Sequence, residues 1–80
     1  MTEYQDYLDF MYSLLERHIK GDLVLSETTE LVADVGFSSL EVMEFVEKIE
    51  DQFDISVPLN ILPDVYTLGD FARKLQELDT

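Results

Sequence analysis

Apolar residues recur three or four positions apart in three segments of the chain, which is the spacing of an amphipathic helix. The first stripe spans about residues 3–19 and consists of Tyr4, Tyr7, Leu8, Met11, Leu14, Leu15 and His18. Thr2 and Gln5 have the spacing of a capping box at its start, and Gly21 fits a helix end. The pattern predicts a first helix over residues 3–19.

Two further stripes predict a second and a third long helix. The second is expected to begin at residue 38 or 39 and to reach about residue 53, since Ser38 and Glu41 have capping-box spacing. Its expected buried residues are Val42, Phe45, Val46, Ile49 and Phe53. The third is expected to begin at Thr67, with Asp70 as the reciprocal cap. Its expected buried residues are Leu68, Phe71, Ala72, Leu75 and Leu78.

The segments between these helices predict one long loop and one short helix. Residues 20–37 carry Leu23, Val24, Leu25, Leu31, Val32 and Val35, which we expect to be covered, with a turn of helix near residues 29–33. Residues 59–62 fit one helical turn that Pro63 stops. No segment alternates long enough to form a sheet. We predict an all-α four-helix bundle of three main helices plus one short helix, with a long loop between helices one and two, as a single domain over residues 1–80.

The charge of the chain narrows the class of partner. Eighteen Asp and Glu stand against five Lys and Arg among 80 residues, a net charge of −13. Nucleic acid and anionic membrane surfaces are therefore disfavoured, and a protein with a basic patch is favoured. The competing interpretation is that acidity only keeps a small protein in solution.

The residue counts also exclude several chemistries. The chain has no cysteine and one histidine, which excludes disulfides, thiolate metal sites, a cysteine nucleophile and a multi-histidine metal site. The acidic, polar start is unlike a signal or transit peptide, and no apolar run approaches the ~20 residues that span a bilayer. These features predict a soluble cytoplasmic protein. We also expect it to be a monomer on its own.

The second helix carries an acidic face opposite its buried stripe. On a helical wheel, Leu40 lies among the acids and Met43 lies on the flank. The acids are Glu41, Glu44, Glu47, Glu50 and Asp51. A solvated helix face is one interpretation. An apolar residue surrounded by charge of one sign is also typical of the anchor of a docking surface.

Ser39 follows the expected cap and would be the first helical residue, with its hydroxyl pointing outward. A helix N-terminus offers backbone N–H groups and a partial positive charge, which suit a phosphodiester. The alternative is an ordinary, unmodified serine in the first turn of a helix.

Residues 31–75 resemble the acyl carrier proteins and their peptidyl carrier relatives. The similarity rests on an ordered set of short motifs: Gly36, Ser38-Ser39-Leu40, Glu44, Glu50-Asp51, Phe53, Val57-Pro58 and Thr67-Leu68-Gly69-Asp70. The resemblance implies a four-helix bundle in which a phosphopantetheinyl transferase moves 4'-phosphopantetheine from coenzyme A onto Ser39. It implies a carrier of acyl or aminoacyl thioesters that is not an enzyme. The expected partners are that transferase, a loading ligase, and synthases with basic patches that dock on the second helix.

Two departures from the family pattern bear on the pathway. Ser38 stands where the family has Asp, and Glu47 stands where many fatty-acid carriers have an exposed Met. Both favour a free-standing carrier in a specialised polyketide or nonribosomal peptide pathway over a carrier for fatty-acid synthesis. The alternative from another class is an acidic helical interaction module without a prosthetic group. An enzyme is disfavoured because one exposed acidic face offers no dry pocket to separate carboxyl pKa values. A calcium loop is disfavoured because the ligand pattern is missing.

Overall fold

The computed structural model describes residues 2–19 and 21–78. Across these two ranges it contains the α-helices α1 (Tyr4–Leu15), α2 (Ser39–Phe53) and α3 (Leu68–Leu78), and the 3₁₀ helices Glu16–His18 and Leu59–Asp64. The same residues form no strand, and their one isolated antiparallel bridge joins Glu30 to Thr67. The predicted all-α architecture is confirmed, with three main helices, a short helix before the last one, and a long loop after the first.

The core lies where the three predicted stripes meet. The buried hydrophobic residues of the α-helices are Tyr7, Leu8, Met11 and Leu15 from α1, Phe45, Val46 and Ile49 from α2, and Leu68, Phe71, Ala72 and Leu75 from α3. Tyr7 and Phe53 meet edge to face with ring centroids 4.7 Å apart. Each fully buried large apolar side chain stabilises the fold by about 1.5–3 kcal/mol relative to exposure. The core therefore fixes which face each helix turns outward.

The ends of α1 differ from the prediction. Glu3 is the N-cap, and the Asp6 carboxylate accepts a hydrogen bond from the Glu3 N–H at 2.9 Å. The predicted pair Thr2 and Gln5 is wrong by one position, because Gln5 instead donates to Asp9 at 2.9 Å. The α-helix also stops at residue 15 and tightens into the first 3₁₀ helix. A 3₁₀ turn holds 3.0 residues rather than 3.6, which changes the direction of every later side chain.

Four residues that were predicted to be buried or covered are exposed. His18 was placed in the buried stripe but is exposed, because the 3₁₀ turn moves it off the core side. Val24 and Val32 were expected to be covered and are 81% and 66% exposed. Leu78 is 37% exposed at the last residue of α3.

The long loop is bound to the start of α3, as a packed loop requires. Leu31 is buried, and residues 31–34 form a turn in which the Asp34 N–H donates to the Glu30 carbonyl at 3.0 Å. The backbone N–H groups of Leu68 and Gly69 donate to loop carbonyls at 3.0 and 2.9 Å. Lys20, where the predicted loop begins, lies outside the described residues.

The short helix between α2 and α3 exists but is longer than predicted. It is a 3₁₀ helix over Leu59–Asp64 with Pro63 inside it, so the prediction that Pro63 stops it is wrong. Proline removes one N–H donor and fixes a φ that a short 3₁₀ segment tolerates. The segment spans the gap between α2 and α3 and leaves Leu59 60% exposed.

Candidate functional site

The amino end of α2 is fixed by a reciprocal pair of hydrogen bonds. The Glu41 N–H donates to the Ser38 hydroxyl oxygen at 3.3 Å, and the Ser38 N–H donates to the Glu41 carboxylate at 3.0 Å. Ser38 has an extended backbone and is the N-cap, as the sequence predicts. The Ser38 N–H also lowers the pKa of Glu41, because it stabilises the ionised carboxylate. The cap makes Ser39 the first residue of the helix.

The side chain of Ser39 is exposed and is not used by the cap. Its hydroxyl makes no hydrogen bond to any residue in the described ranges, whereas the hydroxyl of Ser38 is engaged. The backbone N–H groups of Ser39 and Leu40 have no acceptor within the helix, because the first turn lies before the repeating bonds begin. An accessible hydroxyl beside unpaired amides fits an attached phosphodiester. No basic group of the described residues forms a hydrogen bond with this hydroxyl.

The acidic face of α2 lies outward over the residues that follow Ser39. Leu40 is 67% exposed and Met43 is 43% exposed, which places both away from the core. The exposed acids of this face are Glu41, Glu44, Glu47 and Asp51. Together these six residues are called the α2 face below. Their exposure agrees with the helical wheel, and their role in docking stays a prediction.

Glu50 has a structural contact that the sequence did not predict. It is half-buried, and its carboxylate accepts a hydrogen bond from the Val57 N–H at 2.8 Å. Asp54, at the left-handed C-cap of α2 with φ 53°, turns the chain so that Val57 returns towards the helix. Glu50 therefore holds the segment after α2, and we leave it out of the α2 face.

A second feature missed from the sequence is a cleft between α1 and α2 next to the amino end of α2. Leu14 and Phe37 are part of its floor, and Lys48 lies at its rim. Periodicity could not reveal it, because it depends on how far apart two helices pack. The sequence signal was indirect: Lys48 is the only basic residue of α2.

The chain was compared with known proteins. A family model described as the phosphopantetheine attachment site matches residues 14–75. A probable acyl carrier protein of Caulobacter vibrioides is 35% identical over 74 residues, which cover 85% of this chain and 86% of that protein. An acyl carrier protein of Phenylobacterium zucineum is 29% identical over 90% of this chain and 92% of its own length. An acyl carrier protein of Exiguobacterium sibiricum is 31% identical over 95% of this chain and 96% of its own length. No helix of the described residues is long and apolar enough to cross a membrane.

Proposed function

This chain belongs to the acyl carrier protein family, whose members bear a covalent 4'-phosphopantetheine and are not catalysts, and we propose that Ser39 is its attachment residue. The observation that carries the proposal is the contrast between two adjacent serines. The Ser38 hydroxyl accepts a hydrogen bond in the helix cap. The Ser39 hydroxyl forms no hydrogen bond with the described residues and lies at the exposed first turn. In the transfer, a bond forms between the Ser39 oxygen and the pantetheine-side phosphorus of coenzyme A. The diphosphate bond breaks, adenosine 3',5'-bisphosphate leaves, and the serine proton passes to the transferase.

The test is modification by a phosphopantetheinyl transferase with coenzyme A and magnesium, followed by intact-mass analysis. We expect one phosphopantetheine per wild-type chain and none on Ser39→Ala. Ser38→Ala is the matched control, because it removes the neighbouring hydroxyl and keeps the proposed acceptor. Modification of Ser39→Ala, or loss of modification in a folded Ser38→Ala alone, would assign the arm to Ser38. An unmodified wild type with several transferases would favour the interaction module without a prosthetic group.

The α2 face is the proposed docking surface for partner enzymes. Its acids present charge of one sign around Leu40, and the whole chain carries a net charge of −13. Opposite fields steer encounter, and a buried apolar anchor supplies affinity. The partners we propose are the transferase, a ligase that loads the arm, and synthase enzymes with basic patches. The protein is proposed to act as a monomer in the cytoplasm.

The proposed pathway is a specialised one, in polyketide or nonribosomal peptide synthesis. Glu47 is exposed on the α2 face and makes that surface less apolar than a methionine would. Ser38 caps α2 in place of the family's Asp, so one negative charge beside the attachment residue is lost. A carrier of fatty-acid synthesis is the alternative. The mass of the group on Ser39 in the native producer decides between them: an aminoacyl or polyketide intermediate supports the specialised pathway, and a growing fatty acid overturns it.

A further inference from the structure

The cleft between α1 and α2 is small and has an apolar floor. Its volume is about 80 Å³, and it is open to solvent on one side. Phe37 and Phe45 form part of the floor; both are buried, and their rings meet edge to face with centroids 6.0 Å apart. Leu14 from α1 is half-buried at the same floor. By this measure one water needs about 10–15 Å³, so the cleft has room for several small groups. A wider hollow of about 490 Å³ adjoins it at His18, Phe37 and Glu41.

The rim of this cleft carries charges of both signs. Glu41, Glu44 and Lys48 come from successive turns of α2, and His18 faces them from the 3₁₀ helix that follows α1. All four side chains are exposed. Lys48 forms no ion pair with any residue in the described ranges. Its ammonium and the Glu44 carboxylate are therefore both available to a ligand.

The mouth of the cleft lies next to the proposed attachment residue. Phe37 and Glu41, which both line it, lie two positions before and after Ser39. A group on a short flexible tether has an effective concentration of the order of millimolar at a site within its reach. A weak site beside Ser39 would therefore bind a group carried on the arm, although it would not bind the same group free in solution.

We propose that this cleft holds a short aminoacyl group carried on the Ser39 arm, an inference that rests on the proposed function. The ammonium of the cargo lies against Glu44 and Glu41, and its carbonyl oxygen accepts a hydrogen bond from the Lys48 ammonium. The methylene between them packs on the apolar floor. The cargo class that fits is a small amino acid, since its amine and carbonyl match the two signs of charge on the rim. The net charge of −13 favours a cationic cargo over an anionic one of equal size.

The test compares two cargoes that differ in one terminal group. Glycyl and propionyl groups have the same shape and end in an ammonium and a methyl group respectively. Each is attached to the arm through an amide in place of the thioester, and intact mass establishes loading before any further measurement. Failure to load would therefore count against Ser39 as the attachment residue, and a loaded protein tests the cleft alone. The readout is the change in backbone amide chemical shifts of Leu14, Phe37 and Lys48 relative to the unloaded arm.

We expect the glycyl group to shift these amides more, with about two- to fivefold higher occupancy than propionyl, the range that one partly exposed ion pair supplies. Glu44→Gln should reduce the glycyl response to the propionyl level. Glu47→Gln is the matched control on the same helix outside the cleft and should leave it unchanged. Equal responses to both cargoes, equal loss in Glu47→Gln, or shifts confined to α3 and the second 3₁₀ helix would each overturn the proposal.

Discussion

The amino ends of α2 and α3 begin with the same sequence device. At α2, Ser38 and Glu41 exchange hydrogen bonds of 3.3 and 3.0 Å between side chain and backbone. At α3, the Asp70 N–H donates to the Thr67 hydroxyl at 3.0 Å, and the Thr67 N–H donates to the Asp70 carboxylate at 3.2 Å. Both helices start where these pairs predict. The cap alone therefore does not distinguish a helix end that serves a function from one that serves the fold.

The two ends differ in what covers the residues after the cap. At α3, the Leu68 N–H donates to the Thr29 carbonyl at 3.0 Å and the Gly69 N–H to the Glu27 carbonyl at 2.9 Å. Gly69 is buried, and the hydroxyl of Tyr4 lies over it while donating a hydrogen bond to the Glu27 carboxylate. This hydrogen bond raises the pKa of Tyr4, with burial as a smaller cause. The long loop thus closes the end of α3.

At α2 the corresponding positions are open. Ser39 and Leu40, the first and second helical residues, are both exposed, and the hydrogen bonds from α3 to the long loop have no counterpart there among the described residues. A helix end that a transferase must reach has to stay exposed. A helix end that only supports the core is stabilised when a loop packs over it and accepts its N–H groups. The comparison shows that the proposed attachment site differs from the start of α3 in being uncovered, whereas the cap is common to both helices.

Gly69→Ala should have the largest effect on the free energy of unfolding, because it crowds the covered amino end of α3. An added Cβ would lie 3.0 Å from the Tyr4 hydroxyl oxygen and 3.1 Å from the Glu27 carbonyl oxygen. Crowding of this kind costs about 1–3 kcal/mol, against up to about 1 kcal/mol gained from the higher helix propensity of alanine. We expect a net loss of free energy of unfolding, measured by urea denaturation, and a melting temperature lower by about 4–8 °C for each kcal/mol lost.

Leu40→Ala is the matched control, because Leu40 is the second helical residue of the open end. It should change the free energy of unfolding by no more than about 0.5 kcal/mol. Tyr4→Phe in the Gly69→Ala background should recover part of the loss by removing the clashing hydroxyl. A Gly69→Ala protein as stable as wild type, or losses of equal size at both positions, would show that the two ends do not differ in cover.

The same Leu40→Ala variant should show its effect in docking. If Leu40 is the apolar anchor of the α2 face, its truncation should weaken association with a phosphopantetheinyl transferase by about fivefold or more, the effect of about 1 kcal/mol. The measurement is Kd by calorimetry. Val32→Ala is the matched control, since Val32 is 66% exposed against 67% for Leu40 and lies outside α2. Equal weakening by both variants would mean that exposed apolar area, and not this face, decides binding.

The fold was predictable from the sequence where apolar stripes and capping side chains determine the structure locally. The stripes of α2 and α3 and their caps at Ser38 and Thr67 gave the right helix starts, because a hydroxyl and an acid three positions apart satisfy specific N–H groups. The start of α1 was ambiguous by one position, since two overlapping pairs of polar residues have capping spacing. The exposure of His18 was not predictable, because the switch to a 3₁₀ turn has no marker such as proline in this sequence.

The features of the site likewise separate into those that local sequence predicts and those that depend on distant segments. The exposure of Ser39 and Leu40 followed from the cap and the helical wheel, which are local. The cover over Gly69 did not, because its acceptors are backbone carbonyls about forty positions away, and every residue has a carbonyl. The contact of Glu50 with Val57 and the cleft beside Lys48 also depend on how distant segments meet. Sequence periodicity gives the direction of a side chain and leaves its distant neighbours undetermined.

The smallest expected effect is a difference in acid sensitivity between the two caps. The Asp70 carboxylate accepts hydrogen bonds from the Thr67 N–H and from the Arg73 guanidinium, the latter at 2.7 Å. The Thr67 N–H is the largest cause that lowers the pKa of Asp70, and the Ser38 N–H is the largest that lowers the pKa of Glu41. The closed end therefore gives its carboxylate more donors than the open end does.

Each carboxyl has a lower pKa in the folded than in the unfolded chain, so its contact stabilises the fold above the ordinary value of about 4 and is lost as the pH falls through the folded pKa. The free energy of unfolding should be measured from about pH 7 to about pH 3 for wild type, Asp70→Asn and Glu41→Gln. The gap between wild type and Asp70→Asn, about 0.3–1 kcal/mol near neutral pH, should close below about pH 4. The gap for Glu41→Gln should be smaller throughout. Relief of repulsion among the other acids is common to the three proteins and cancels in the differences. A gap that persists to the lowest pH, or a larger one for Glu41→Gln, would mean that the additional donors to Asp70 do not make the cap of α3 the stronger of the two.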